Sequence, residues 1–180
     1  MPALTEAEIA RRAAKLTWLL FDVDGCLTDG TLVYGADGEQ WKTFEVRDGL
    51  GMKFAQKAGL KVGILSGRSS DALTARAREL ELDALLSHRA DKGPAFAQFL
   101  EQHGVAADEV GYLGDDLVDL PVILRCGLSF APADAVAEVR ERVDRVLTQN
   151  GGRGAAREMI ELLLRARGEW DRVVLAPFLA

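Results

Sequence analysis

Six short apolar runs recur along the chain: TWLLFDV (17–23), KVGILS (61–66), DALLS (83–87), EVGYL (109–113), GLSF (127–130) and DRVL (144–147). Most are apolar throughout rather than alternating, the pattern of parallel strands covered on both faces. Between them lie Asp48–Lys57, Ser70–Leu82, Pro94–His103, Asp116–Arg125 and Asp134–Arg142, each of helical composition. Gly59, Gly104 and Gly127 stand where these helices should stop, and Pro94 where one should start. Strand and helix in alternation imply right-handed crossovers, so the fold class is α/β, with a doubly wound, mainly parallel, Rossmann-like sheet.

Two stretches break the alternation. Residues 31–46 read TLVY, GADG and EQWKTFEV, two β-rich runs about a glycine-containing turn, and predict a β-hairpin inserted after the first strand. The chain ends with GGRGAAREMIELLLRARG (151–168), a glycine loop and a last helix, read as a tail over 151–180. The opening MPALTEAEIARRAAK reads as a short amphipathic helix. With no linker and no repeat, residues 1–180 form one expected domain, large enough to bury about 70% of its unfolded surface.

In such sheets ligands bind beyond the carboxyl ends of the strands. Three predicted strands end there in polar residues: Asp22-Val-Asp24-Gly25, Ser66-Gly67-Arg68 and Gly114-Asp115-Asp116, while Lys92 follows the DALLS strand. Asp22 and Asp24, two positions apart, can face one cavity once the chain turns at Gly25. Carboxylates that close repel unless a cation sits between them, and a third oxygen from Asp115 suits Mg²⁺. A carboxylate can attack phosphorus and form a covalent intermediate. The metal, Lys92 and Ser66 would neutralise the phosphoryl oxygens, while Asp24 protonates the leaving alcohol and then activates water. The expectation is a Mg²⁺-dependent phosphatase that works through an aspartyl-phosphate at Asp22.

Charge and composition narrow the rest. With 22 basic against 28 acidic residues, a net of −6, nucleic acid and membrane surfaces are poor partners. Cys26 and Cys126 form no CxxC pair and suggest no disulfide framework, which fits the cytoplasm. No apolar run reaches the roughly 18 residues a membrane span needs, and the opening segment lacks a secretory signal's apolar stretch.

Taken in order, DVDGCLTDG, the SGR after the second strand, Lys92 and GDDLVD resemble the haloacid dehalogenase superfamily of aspartate-nucleophile phosphatases. The hairpin, FEVRDGLGMK (44–53), GDDLVDLPV and GGRGAARE are similar to members of that superfamily that lack a cap domain and act on sugar-acid phosphates. The likeness runs from about Thr17 to Gly168. It implies that Asp22 is nucleophile and metal ligand, Asp24 acid/base and carbonyl ligand, and Asp115 the third protein ligand. Ser66 and Lys92 match the groups that hold the transferring phosphoryl. Glu45, Val46, Arg47, Asp48, Gly49, Lys53, Arg68 and Arg76 match positions that contact the sugar acid or its phosphate. Lys53 departs from the arginine often found there and cannot form a bidentate fork to a carboxylate. An eight-carbon keto-sugar acid phosphate of lipopolysaccharide sugar biosynthesis is the implied substrate. The alternatives are a nine-carbon sialic-type phosphate or a non-catalytic assembly module, and intact Asp22, Asp24, Lys92 and Asp115 favour catalysis.

Other residues have plain readings. Acidic residues suit a helix N-terminus, which makes Asp119 structural and leaves Asp116 open. His88 and His103 show no metal spacing. The 40 residues between Gly25 and Ser66 hold a hairpin and a helix but no cap domain. Tyr34 and Trp41 on a marginal hairpin need a surface to cover them, so a homo-oligomer, a tetramer, is expected. In that arrangement Gly151–Gly154 would reach an adjacent subunit's site and offer Arg153 to the substrate.

Overall fold

The computed structural model describes residues 4–179 apart from Asp37 and Glu39, so one position of the expected hairpin turn and the first of its second β-rich run lie outside the described residues. In chain order the elements are α1 (Glu6–Ala13), β1 (Trp18–Phe21), β2 (Val33–Tyr34), β3 (Gln40–Trp41), α2 (Val46–Lys57), β4 (Lys61–Leu65), α3 (Asp71–Glu79) and β5 (Ala84–Leu86). They continue as α4 (Lys92–His103), β6 (Val110–Leu113), α5 (Leu120–Ile123), β7 (Leu128–Ala131), α6 (Ala137–Arg140), β8 (Arg145–Val146), α7 (Ala155–Ala166) and α8 (Ala176–Leu179). Among the described residues no helix is long and apolar enough to cross a membrane.

The main sheet has six strands in the order β5-β4-β1-β6-β7-β8, every neighbouring pair parallel. The chain builds outward from β1 through β4 and β5, then returns to β6 on the other side. The order therefore reverses beside β1, where a doubly wound sheet opens a crevice. Side chains alternate across β1, so Leu19 and Phe21 enter one apolar cluster with α1, α2 and α7, while Trp18 and Leu20 enter another with α4. Burial on both faces is why the strand runs read as continuously apolar.

Four expectations change. The helix read over 116–125 is a tight 3₁₀ turn, Leu117–Asp119, followed by the single turn of α5. Asp116 accepts from the Leu117 N–H at 2.7 Å as the N-cap of the turn, and Pro121, which has no N–H to donate back to residue 117, starts α5 afresh. The helix read over 134–142 shrinks to α6, because Asp134 turns to accept from the Gly151 N–H at 3.0 Å. α4 begins at Lys92, two residues before Pro94, which a first helical turn tolerates.

The fourth change concerns the segment read as a tail. α7 buries Ala155, Ala156, Met159, Ile160, Leu163 and Leu164 in the core shared with α1 and α2. Beyond it a π-helical turn, Trp170–Leu175, sets Trp170 edge-on to Phe54 at 6.2 Å. Each fully buried large apolar side chain contributes about 1.5–3 kcal/mol, so α7 is part of the frame rather than an appendage.

Candidate active site

Asp22 leaves β1 with its N–H still bonded to the Leu113 carbonyl at 2.9 Å, which ties the β1 and β6 strand ends together. Gly25 then turns the chain at φ +93°, and a Cβ there would lie 2.0 Å from Asp115 Oδ2. Only glycine lets Asp115 come this close to the Asp22–Asp24 loop. Donor atoms of Asp22, Asp115 and Cys26 all lie within 4.8 Å of one another. Burial raises the pKa of both carboxylates; for Asp22 the neighbouring Lys92 opposes this, and for Asp115 the charges of Asp22 and Asp119 add to it. Two hard oxygen donors that burial disfavours as free anions fit a divalent cation such as Mg²⁺. Burial pushes the Cys26 thiol up, and it stays a neutral donor to Asp115 Oδ1 at 3.5 Å.

Lys92 is the centre of the buried half of the site. Its ammonium lies 2.6 Å from Asp22 Oδ1 and 2.5 Å from Asp119 Oδ1, with the side chain 1% exposed. Burial works against its charge, but Asp22 and Asp119 outweigh that and hold its pKa above the ordinary value. Tyr112 donates to Asp119 Oδ1 at 2.6 Å. Asp119 Oδ2 accepts from the N–H groups of Asp115 and Asp116 at 2.9 and 3.1 Å. Asp119 therefore holds both the cation beside Asp22 and the loop that carries Asp115.

An open pocket of about 710 Å³ joins these groups, with Asp22, Asp24, Ser66, Arg68, Lys92 and Asp115 in its lining. Ser66, at the end of β4, is buried, and its Oγ accepts from the Arg68 N–H at 3.2 Å. Arg68 Nε stands 4.0 Å from Asp24 Oδ2. Asp116 also lines the pocket.

The remaining predicted residues gather elsewhere in the protomer. Glu45 caps α2 by accepting from the Arg47 N–H at 3.1 Å and pairs with the Arg47 guanidinium, while Val46 is exposed. Gly49 is buried against Arg76, which donates to the Glu45 carbonyl at 3.4 Å and pairs with Glu79 at 3.0 Å. Asp48 turns inward to accept from the Arg157 N–H at 2.8 Å, so within one chain it caps α7 and does not reach the pocket. Lys53 pairs with Glu81 at 2.7 Å on the surface.

Within the protomer, the glycine loop packs on its own chain. The Gly152 N–H bonds to the Cys26 carbonyl at 2.9 Å, and a Cβ on Gly151 would meet the Gly25 carbonyl oxygen at 1.8 Å. Gly151 and Gly152 are thus seated on their own chain's Asp22–Asp29 loop, because only glycine permits that backbone approach. Arg153 is exposed and meets Asp29 at 3.7 Å.

One functional candidate was absent from the sequence reading. Lys42, just past β3, has its side chain 2% exposed and its Nζ on Asp24 Oδ1. Its signal is in the alternation: Trp41 and Thr43 are exposed, whereas Lys42 and Phe44 face inward. A lysine on the inward side of a strand calls for a charged partner. Asp119, read as structural, proves to bond the very groups that make the site.

The site and the sheet are those of an aspartate-based hydrolase, and comparison with known proteins agrees. Residues 84–159 match the haloacid dehalogenase-like hydrolase family model. The chain is 43% identical over 159 residues to 3-deoxy-D-manno-octulosonate 8-phosphate phosphatase of Haemophilus influenzae, covering 88% of each protein. It therefore belongs to the haloacid dehalogenase-like hydrolases, and is a phosphatase of that family. A solved 3-deoxy-D-manno-octulosonate 8-phosphate phosphatase from Moraxella catarrhalis, in complex with magnesium, phosphate and KDO, superposes with TM-score 0.91 at 33% identity. That match covers 95% of this chain and 98% of the other. The cobalt-bound deoxy-D-mannose-octulosonate 8-phosphate phosphatase from Haemophilus influenzae gives TM-score 0.88 at 42% identity, over 94% of this chain and 99% of that one.

Proposed function

We propose that the chain hydrolyses the phosphomonoester of 3-deoxy-D-manno-octulosonate 8-phosphate, in lipopolysaccharide sugar biosynthesis, through an aspartyl-phosphate on Asp22. The observation that carries this reading is the buried Asp22–Lys92–Asp119 contact opening into the pocket shared with Asp24, Ser66 and Asp115. Asp22 attacks phosphorus, and the bond to the sugar oxygen breaks as Asp24 gives that oxygen a proton. Lys92 and the Ser66 hydroxyl hold the phosphoryl oxygens throughout, in a buried setting where such contacts count most. Asp24 then takes a proton from water, which attacks phosphorus, releases inorganic phosphate and restores the Asp22 carboxylate. Asp22, Asp115 and the Asp24 carbonyl would hold Mg²⁺, whose charge offsets that of the phosphoryl group.

Relatives named for this substrate support the eight-carbon sugar acid, and a relative bound to magnesium supports that metal. Exposed Val33, Tyr34 and Trp41 on the hairpin support a homo-oligomer, a tetramer, in which neighbours cover them. In that assembly Arg47 and Arg153, which share a cleft beside α7, would face substrate together with the α2 N-terminus. Two free cysteines support a reducing compartment, the cytoplasm.

The test is phosphate release with Mg²⁺ from eight- and nine-carbon sugar-acid phosphates. The eight-carbon ester should be turned over best, chelation should stop the reaction, and Asp22→Asn should abolish it with the fold intact. A clear preference for a nine-carbon ester would overturn the substrate, and an active Asp22→Asn would overturn the mechanism.

A further inference from the structure

We propose that Lys42 is the positioning residue for Asp24: it clamps one carboxylate oxygen from behind, so that the other faces the leaving group. The inference rests on the phosphatase reading above and assigns this residue of the hairpin a part in that reaction. Its basis is the geometry of three neighbouring groups. Lys42 Nζ meets Asp24 Oδ1, and the lysine side chain is 2% exposed. Asp24 Oδ2 is on the side of Arg68, whose Nε is 4.0 Å away. Asp24, Arg68 and Leu32 line the pocket, but Lys42 does not. The lysine thus touches the acid/base without facing the space a substrate would fill.

The local sequence explains why the lysine arrives there. Alternation along residues 41–44 sends Trp41 and Thr43 outward and Lys42 and Phe44 inward. Phe44 packs against the apolar core beneath α2, with the Arg76 guanidinium over its ring at 5.8 Å. Phe44 therefore fixes the register of the segment, and a slip by one residue would put Trp41 or Thr43 where Lys42 stands. A buried ammonium without a partner is costly, and its N–H groups donate to Oδ1 whether or not Oδ2 carries the proton to be transferred, so the contact holds the Asp24 side chain in one orientation. Proton transfer demands that orientation, since donor and leaving oxygen must come within hydrogen-bond reach.

A clamp on the acid makes a specific kinetic demand. kcat/KM covers the steps up to aspartyl-phosphate formation, in which the phosphorus–oxygen bond breaks and the leaving oxygen takes the Asp24 proton. An alkoxide leaving group needs that proton, whereas p-nitrophenolate leaves without it. Lys42→Met should lower kcat/KM for the sugar phosphate on the order of 10²-fold, the scale of general-acid catalysis. The loss for p-nitrophenyl phosphate should be at least about tenfold smaller. Lys42→Arg should recover part of the selectivity. Asp24→Asn should show the same selective loss, and Lys42→Met added to it should cost nothing further, as for two residues acting as one unit.

Equal losses for both esters, or additive losses in the double variant, would mean a structural tie for the hairpin and would overturn the proposal. An unchanged ratio in Lys42→Met with an active wild type overturns it alone. A wild-type protein inactive on both esters overturns the phosphatase reading and this inference with it.

Discussion

Two buried lysines serve the two aspartates of Asp22-Val-Asp24, and they are held in very different ways. Lys92 begins a twelve-residue helix, sits between Asp22 and Asp119, and lies within 3.3 Å of the Tyr112 hydroxyl. Two of these partners belong to the sheet frame, since Asp22 leaves β1 and Tyr112 is on β6, fully buried. Lys42 follows a strand of two residues, Gln40–Trp41, and pairs with Asp24. The rings beside it, Tyr34 and Trp41, are 56% and 63% exposed. Asp22, the proposed nucleophile, is thus built into a rigid core, while Asp24, the proposed acid/base, is steadied by an element with almost no core of its own. Phosphoryl attack and proton transfer need not be equally robust in this molecule, and the hairpin is where assembly can influence chemistry.

The sharpest way to break that contrast is to weaken the rigid side. Asp119→Ala leaves Lys92 with Asp22 alone and removes the acceptor for Tyr112 and for the N–H groups of Asp115 and Asp116. Stability should fall by about 3–5 kcal/mol, read by urea unfolding, because one partner of a buried pair is gone. A loss under about 1 kcal/mol would show that the frame does not depend on this network.

Asp48 sets a smaller test, at the seam between the hairpin's exit and the frame. Burial raises its pKa from 3.8 to about 6, against the opposing bonds from the Arg157 and Gly154 N–H groups, and its Oδ2 has no hydrogen-bond partner among the described residues. The folded state therefore favours the protonated form, so the wild type loses stability as pH rises from about 4 to about 6. Asp48→Asn keeps an acceptor for Arg157 without the charge. It should match the wild type near pH 4 and exceed it above pH 6 by on the order of 2 kcal/mol. Thermal unfolding across pH checks this, and parallel curves would refute the assignment.

The smallest effect on stability belongs to the flexible side. Tyr34→Ser with Trp41→Ser removes two exposed rings and should change the protomer's stability by no more than about 0.5 kcal/mol. On the proposed assembly, light scattering should nevertheless show smaller species than for the wild type, with turnover reduced alongside. A double variant that stays tetrameric and fully active would mean that the hairpin needs no cover.

Much of the frame is legible in the chain itself. The apolar runs mark all six sheet strands, most clearly the central β1 and β6, where burial on two faces leaves no charged position within the strand. The Asp22–Gly25 turn, Ser66, Lys92 and Asp115 read as one strand-edge cluster because each immediately follows, or lies shortly beyond, such a run. The helices over 116–125 and 134–142 are shorter than their composition suggests, because Pro121 interrupts the first and Asp134 turns away to the Gly151 N–H in the second. The tail from Gly151 looked peripheral, yet α7 carries an apolar stripe that only packing against α1 and α2 turns into core.

What tertiary structure alone decided is which charges meet. Lys92 finds Asp119 across 27 residues of chain, Lys42 finds Asp24 across 18, and Asp48 finds the start of α7 across 109. Periods of two and of 3.6, glycine turns and strand-end polarity are local, so the sequence by itself determines them. Ion pairs and caps at such separations depend on how crossovers return the chain to the sheet, and on the distance and burial that follow, which no local pattern encodes.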